Sequence, residues 1–133
     1  MRAVVIEEPH TTRVVDIERP NPGAGEVLVR VCAVGICGSD VELIEGTRPP
    51  RYVRYPIIPG HEWAGTVELV GPNVTGVKQG DRIVAEGFQN CGVCARCREG
   101  RTNLCVAEYA ETGFTEAGAF AEFLLVPARL IHR

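Results

Sequence analysis

The chain has 133 residues and a formal net charge of −3, which suits one domain with its own hydrophobic core. Its sequence pI of about 5.6 excludes the basic field that would attract nucleic acid or an anionic membrane surface. No apolar run approaches the roughly 18 residues of a membrane helix, and no secretory signal is recognisable. We therefore expect a cytoplasmic, reduced protein whose partner is a small molecule rather than nucleic acid or a membrane.

Glycine and proline divide the chain into short segments. Fifteen glycines and nine prolines separate runs of β-branched residues, which favours short strands joined by turns over a helical bundle. Apolar patterning predicts strands at 2–8, 12–18, 26–34, 64–70, 82–85 and 118–126. Ser39 or Asp40 is expected to cap a short helix over 41–45, and residues 46–59, with four prolines, form a long loop. Together these elements predict a mainly β, barrel-like body, from which residues 86–110 project as a separate segment.

Four of the six cysteines lie in one short segment with the spacing C-x2-C-x2-C-x7-C. A tetrahedral zinc site needs four donors at about 2.3 Å from one point, and two-residue gaps let a tight turn aim successive thiolates at a shared centre. Paired disulfides and buried free thiols are the alternatives, although cysteines three apart are poorly placed to bridge each other. The spacing predicts a closed structural zinc site formed by Cys91, Cys94, Cys97 and Cys105.

Cys37, His61 and Glu62 form a second candidate set of metal ligands. Singly, such residues are more often a packed cysteine, a satisfied polar group and a solvated charge. Together they are a donor set of catalytic zinc, where three protein ligands leave one position for water or substrate. Ser39 adds a hydroxyl that can accept a proton from an alcohol, and Asp40 can orient an imidazole. The remaining cysteine, Cys32, lies within the strand at 26–34, where we expect it to pack as a small apolar residue.

Four motifs follow one another along the chain: residues 35–40 (GICGSD), 59–62 (PGHE), 76–84 (GVKQGDRIV) and the four-cysteine segment. In this order they resemble the zinc-dependent medium-chain alcohol and polyol dehydrogenases, and the resemblance covers essentially the whole chain. It implies a GroES-like catalytic domain at 1–133, a partly open β-barrel with short helices and a structural zinc lobe at about 86–110. It further implies a catalytic zinc at Cys37, His61 and Glu62, a proton relay that starts at Ser39, and support of His61 by Asp40.

The chain departs from the family pattern at two points. Many relatives have a relay histidine three residues after the position of Ser39, whereas this chain has Glu42 there. Family members also place a nucleotide-binding Rossmann domain after this one, and no Gly-x-Gly-x-x-Gly follows a strand here. We therefore expect a fragment or an isolated catalytic domain that is inactive on its own, with the Rossmann domain absent from this chain and Glu42 at the relay position. The resemblance also implies a homo-oligomeric parent enzyme.

The resemblance implies that the parent enzyme oxidises a secondary alcohol or polyol, with zinc as Lewis acid and NAD or NADP as hydride acceptor. The Cys-Gly-Ser-Asp and Gly-His-Glu forms are similar to the polyol, sugar-alcohol and threonine dehydrogenase branch. The alternatives are a non-enzymatic zinc-binding scaffold and a relative that uses no catalytic metal. Several aromatic residues are candidates either for a substrate pocket or for ordinary core packing: Tyr52, Tyr55, Trp63, Phe88 and Phe114.

Overall fold

The computed structural model describes residues 1–133 and consists mainly of β-strands. The elements are β1 Arg2–Glu8, β2 Thr11–Asp16, β3 Glu26–Val34, α1 Gly38–Glu45, β4 Trp63–Val70, β5 Arg82–Ala85, α2 Ala95–Arg98, β6 Phe123–Pro127 and β7 Ile131–His132. Short 3-10 turns occur at Pro50–Tyr52, Thr102–Leu104 and Ala128–Leu130. Neither α-helix has the length and apolar character needed to cross a membrane. The predicted mainly β fold with short helices is confirmed.

The strands form a five-stranded sheet in the order β6-β3-β4-β5-β7 and a separate β1-β2 hairpin. All of the pairings between these strands are antiparallel. Two bridges, Ala3↔Ala121 and Ile6↔Ile57, connect the hairpin to segments outside the sheet. The hairpin and sheet thus enclose the interior as a partly open barrel.

Two apolar clusters fill the protein, one beneath the sheet and one beneath α1. The sheet cluster contains Val27, Val29, Trp63, Val67, Ile83, Ala119, Leu124 and Val126. The helix cluster contains Ile6, Leu43, Ile57 and Phe114. Leu43 is fully buried, and truncating such a leucine to alanine typically costs about 2–5 kcal/mol. The second cluster therefore fixes α1, and with it the residues at its N-terminus, against the barrel.

The helix α1 begins earlier than the sequence pattern predicts. The backbone N–H of Cys37 donates a 2.9 Å hydrogen bond to Asp40 Oδ2, and Cys37 occupies the N-cap with an extended backbone. A carboxylate that satisfies a free N–H at this end stabilises the first helical turn. The helix consequently includes Ser39 and Asp40 rather than beginning after them.

Two other expectations were wrong. Residues 118–120 are not a strand, because the N–H groups of Gly118, Ala119 and Phe120 bond to carbonyls of 58–60 instead of a strand ladder. Cys32 is exposed rather than packed. Cys32 follows Arg30 by two residues along β3, and both are exposed, so the period of two that marks this strand places the thiol on the same exposed face as the arginine.

The segment at 86–110 leaves the barrel and returns to it through a narrow neck. Gln89 N–H donates to the Ala110 carbonyl at 2.9 Å, and Thr112 N–H donates to the Gly87 carbonyl at 3.0 Å. A bridge between Phe88 and Glu111 lies between these bonds. The two ends of the lobe therefore meet, and its short helix α2 and four cysteines lie in a closed loop outside the sheet.

Candidate metal centres

The four cysteines of the lobe converge on one point. Their sulfur atoms all lie within 4.8 Å of one another, and the Sγ atoms of Cys91 and Cys97 are 3.9 Å apart. Four sulfurs at 2.3 Å from a tetrahedral zinc would be about 3.8 Å apart, whereas a disulfide requires about 2.05 Å. The spacing of the sulfurs therefore fits a four-thiolate metal site and excludes a bond between this pair.

Backbone N–H groups point at these sulfurs and favour their ionised form. The pKa of the Cys94 thiol is lowered to about 6, mainly by backbone hydrogen bonds from Val106 and Cys97. The pKa of Cys105 is also lowered, first by the N–H of Cys91 and then by that of Ala107. Burial raises the pKa of Cys97 to about 12. A dication stabilises thiolates, so a metal in this cluster would offset the unfavourable ionisation of Cys97.

The second centre begins at the junction between β3 and α1. Cys37 caps the helix there, and its Sγ lies 2.7 Å from Ser39 Oγ and 3.2 Å from His61 Nε2. Ser39 Oγ is in turn 3.4 Å from His61 Nε2. The end of one strand thus places a thiol and a hydroxyl beside an imidazole from a segment 24 residues further along the chain.

A tightly packed backbone segment positions His61. Gly60 has a positive φ of 97°, and a Cβ there would meet the Phe120 nitrogen at 2.9 Å. A Cβ at Gly118 would approach the Pro59 carbonyl oxygen at 2.4 Å. Because glycine alone permits both this conformation and this approach, the segment before His61 is held against residues 118–120 and the imidazole is directed toward Cys37.

The donor atoms of Cys37, His61 and Glu62 all lie within 4.8 Å of one another. Glu62 is exposed, and its carbonyl accepts a 2.7 Å hydrogen bond from Gly35 N–H just before Cys37. A tetrahedral zinc with one thiolate and one imidazole would place sulfur and nitrogen about 3.5 Å apart, close to the 3.2 Å observed between Cys37 and His61. Three donors of this type leave one coordination position open.

Asp40 adjoins the other nitrogen of His61. Its Oδ1 lies 3.6 Å from His61 Nδ1, Asp40 is 2% exposed, and both atoms are buried without a hydrogen-bond partner. An unpaired buried polar group costs about 1–3 kcal/mol, so the arrangement favours pairing of a protonated Nδ1 with this carboxylate. Nε2, which faces Cys37, then has its lone pair free for a metal.

Of the other sequence candidates, Phe114 contacts the metal centre, whereas Trp63 and Tyr55 pack elsewhere. Glu42 is on the next turn of α1 with its side chain 52% exposed, and its carboxylate lies 3.6 Å from the Arg48 guanidinium. Among the aromatic candidates, Phe114 packs against the imidazole of His61 with 4.7 Å between ring centroids. Trp63 belongs to the sheet cluster, and the hydroxyl of Tyr55 bonds to the Leu43 carbonyl at 2.6 Å.

Sequence reasoning missed the polar group that contacts Phe114. Arg48 lies over the Phe114 ring and forms a 3.1 Å ion pair with Glu111, which is 63 residues away in sequence. Burial raises the pKa of Glu111, against the opposing effect of Arg48. No spacing rule connects these residues, because only the return of the lobe to the barrel brings 111 beside the loop at 48.

Comparison with known proteins identifies the family to which this arrangement belongs. The model of the alcohol dehydrogenase GroES-like domain matches residues 23–133. The chain therefore belongs to the family of alcohol dehydrogenase GroES-like domains, which confirms the resemblance found in its motifs.

Three similar proteins illustrate the relationship. The alcohol dehydrogenase of Moraxella sp. strain TAE123 is 38% identical over 133 residues, which cover 98% of this chain and 39% of that protein. An alcohol dehydrogenase from Escherichia coli CFT073, solved with the cofactor NADH, is 35% identical with a TM-score of 0.89 and matches 100% of this chain and 38% of that one. The thermostable alcohol dehydrogenase of Pyrobaculum aerophilum with cobalt and zinc bound is 37% identical with a TM-score of 0.90, over 98% of this chain and 40% of that one. The chain thus spans about two-fifths of these relatives.

Proposed function

We propose that this chain is the catalytic domain of a zinc-dependent dehydrogenase that oxidises a secondary alcohol or polyol with NAD or NADP. The observation that carries the proposal is the convergence of Cys37 with the adjacent pair His61 and Glu62, donors from two segments of the chain, beside a hydroxyl and a buried carboxylate. A closed structural site needs four ligands, whereas a catalytic site keeps one position for substrate. The four-cysteine cluster is then the structural zinc site.

The zinc and nicotinamide would supply the chemistry that the side chains lack: a Lewis acid that polarises the alcohol oxygen, and an acceptor for hydride. Cys37, His61 and Glu62 would hold the metal, and Asp40 would keep the His61 ring in the required tautomer. Ser39 Oγ, 3.4 Å from His61 Nε2, would accept the hydroxyl proton of the substrate while its own proton passes to the next acceptor. Glu42 follows one turn later on the same helix, and its partly exposed carboxylate passes the proton toward solvent.

The cofactor and substrate belong to the parent enzyme rather than to these residues alone. The NADH complex of the Escherichia coli relative and the named alcohol dehydrogenases support a nicotinamide-dependent alcohol oxidation. We propose that a nucleotide-binding domain completes the parent enzyme and that the enzyme forms homo-oligomers. We propose a cytoplasmic location because both metal centres need reduced thiolates, which a reducing compartment maintains.

The test combines metal analysis with activity. We expect about two zinc ions per 133-residue chain, and about one after the change His61→Ala. In the parent enzyme, Ser39→Ala should lower kcat by about 10²–10⁴-fold with zinc content unchanged, since one proton acceptor is lost. Ser39→Thr, which keeps a hydroxyl, is the matched control and should retain most activity.

Three outcomes would contradict the proposal. A chain that binds one zinc, confined to the four cysteines, would indicate a scaffold instead of a dehydrogenase centre. A parent enzyme that oxidises neither secondary alcohols nor polyols with NAD or NADP would exclude the proposed substrate class. Full activity in Cys37→Ala would show that the reaction needs no metal at this centre.

A further inference from the structure

The ring of His61 has a packing partner that the proposed chemistry does not use. Phe114 is 1% exposed, and its ring lies 4.7 Å from the imidazole of His61 with a tilt of 42° between the planes. Aromatic rings at about 4.5–7 Å constrain each other's orientation. Asp40 lies beside the Nδ1 edge of the imidazole, while Phe114 packs against the ring. These two neighbours therefore restrict different motions of His61.

Phe114 is itself covered by a guanidinium. The Arg48 Cζ atom lies 3.8 Å from the centroid of the Phe114 ring, within the range in which a cation and an aromatic face attract. The Arg48 side chain is only 17% exposed, which strengthens such an interaction by excluding water. The orientation of Phe114 therefore depends on where Arg48 is held.

Several hydrogen-bond acceptors fix the position of the planar Arg48 guanidinium. Its Nη2 lies 3.1 Å from a Glu111 carboxylate oxygen and donates to the Tyr109 hydroxyl at 3.1 Å. Its Nε donates to the Tyr52 carbonyl at 3.2 Å. Glu111 is 8% exposed and also accepts a hydrogen bond from the Tyr109 hydroxyl. A buried carboxylate thus sets the position of the guanidinium on Phe114.

We propose that Glu111, Arg48 and Phe114 form a positioning array that holds the imidazole of His61 in the orientation required for metal binding. The three residues act on the metal centre through His61. Arg48 also lies 3.6 Å from the Glu42 carboxylate, a contact that bears on the proposed proton path and not on the metal ligands. This inference rests on the proposed metal centre at Cys37, His61 and Glu62. It adds to the metal centre two segments that supply no ligand: the loop that contains Arg48 and the lobe neck that contains Glu111.

The protein contains a second arrangement of the same three residue types that serves as an internal control. Arg19 lies 4.3 Å over the ring of Phe123 and pairs with Glu68 at 3.5 Å. This group is associated with β4 and β6, and none of its members belongs to either metal cluster. Equivalent changes in the two groups therefore separate an effect on His61 from a general effect of losing a stacked arginine.

The experiment measures zinc affinity of the full chain by competition with a chromogenic chelator. We expect Arg48→Lys, Glu111→Gln and Phe114→Leu each to weaken the His61 centre by about tenfold or more, in line with the loss of partners that orient a metal ligand. The four-cysteine centre should keep its affinity. Arg19→Lys, Glu68→Gln and Phe123→Leu should leave both affinities within about twofold.

Cobalt supplies a readout that simple destabilisation would not reproduce. With zinc retained at the four cysteines and cobalt at the His61 centre, the visible spectrum reports ligand geometry, and we expect it to change in Phe114→Leu but not in Phe123→Leu. Unchanged affinity and spectrum in all three array variants would overturn the inference. Equal weakening of both metal centres would also overturn it, because the effect would then be global. Binding of a single metal by the unmodified chain would instead refute the proposed function.

Discussion

The two candidate metal centres differ in how the chain assembles them. The four cysteines lie between positions 91 and 105 in a lobe with its own neck and its own short helix. Cys37 and His61 are 24 residues apart and meet because a helix cap, a glycine-dependent contact and a strand end coincide. The first centre is local and needs little of the barrel, whereas the second depends on the barrel.

This difference in assembly predicts different consequences of metal loss. A local cluster of thiolates has few other interactions to hold it together, so metal binding contributes directly to its folding. The second centre is supported by the buried residues Leu43 and Phe114 of the helix cluster, which persist without a metal. We therefore expect loss of the first metal to change stability and loss of the second to change mainly chemistry.

The largest effect is expected for Cys97→Ser. Removing one of four thiolates should reduce bound zinc by about one ion per chain and open the lobe, because the remaining sulfurs cannot complete the tetrahedral site. Hydrogen exchange of amides between 91 and 105 and metal analysis measure the two effects. Cys32→Ser is the control, since Cys32 is exposed and outside both clusters. Unchanged exchange with full zinc content in Cys97→Ser would refute the structural role of this cluster.

Cys37→Ala should affect chemistry far more than stability. We expect loss of the second zinc and a decrease in kcat/KM of the parent enzyme on the order of 10³-fold, because a Lewis acid contributes several kcal/mol to such a reaction. The midpoint of chemical unfolding of the chain should shift less than it does in Cys97→Ser. A larger shift in Cys37→Ala would reverse the proposed assignment of the two centres.

Asp40→Asn should weaken the second centre without removing it. Asp40 uses Oδ2 for the N–H of Cys37 and presents Oδ1 to His61, whereas asparagine has one acceptor oxygen for these two donors. We expect about 10–100-fold lower zinc affinity at this centre, measured by chelator competition. The control is Asp81→Asn, because Asp81 accepts a similar 3.0 Å bond from Lys78 N–H away from both clusters. Equal losses in the two variants would indicate a backbone effect rather than support of His61.

The smallest effect is a pH dependence at Glu111. Burial raises its pKa above the ordinary value of 4.5, so the folded chain binds this proton more tightly than the unfolded chain. The associated stability is fully present below pH 4.5 and is lost as the pH rises through the pKa of the folded state. In the metal-free chain, Glu111→Gln should therefore lose less stability than the unmodified chain as the pH rises from 4.5 through the pKa of the folded state. Glu108→Gln, whose carboxylate is exposed, should follow the unmodified chain in chemical unfolding, and identical slopes in all three would contradict the prediction.

The sequence predicts those parts of the molecule that depend on local chemistry. The spacing of the four cysteines predicts a cluster because two-residue gaps constrain where neighbouring thiols can point. Most strand positions were also predicted, since valine-rich runs bounded by glycine and proline mark them. Residue type alone makes Cys37, His61 and Glu62 one candidate donor set among several interpretations, and the order of the motifs, through the family resemblance, favours the catalytic zinc.

Other features depend on contacts between distant segments and leave no periodic signal. The segment at 118–120 has the composition of a strand, but its N–H groups bond to 58–60 and hold His61 in place. Arg48 and Glu111 look like two solvated charges in the sequence. Their pairing becomes evident only when the lobe neck at 87–89 and 110–112 places Glu111 beside the loop.

That neck has a consequence for how the domain can be altered by evolution or by engineering. Because the chain departs and returns at adjacent backbone positions, insertions or deletions inside the lobe leave the strand connectivity of the barrel intact. Glu111 limits this freedom, since it belongs both to the bridge with Phe88 and to the ion pair with Arg48. A replacement lobe can therefore vary in length and content, provided that it returns a carboxylate to this position.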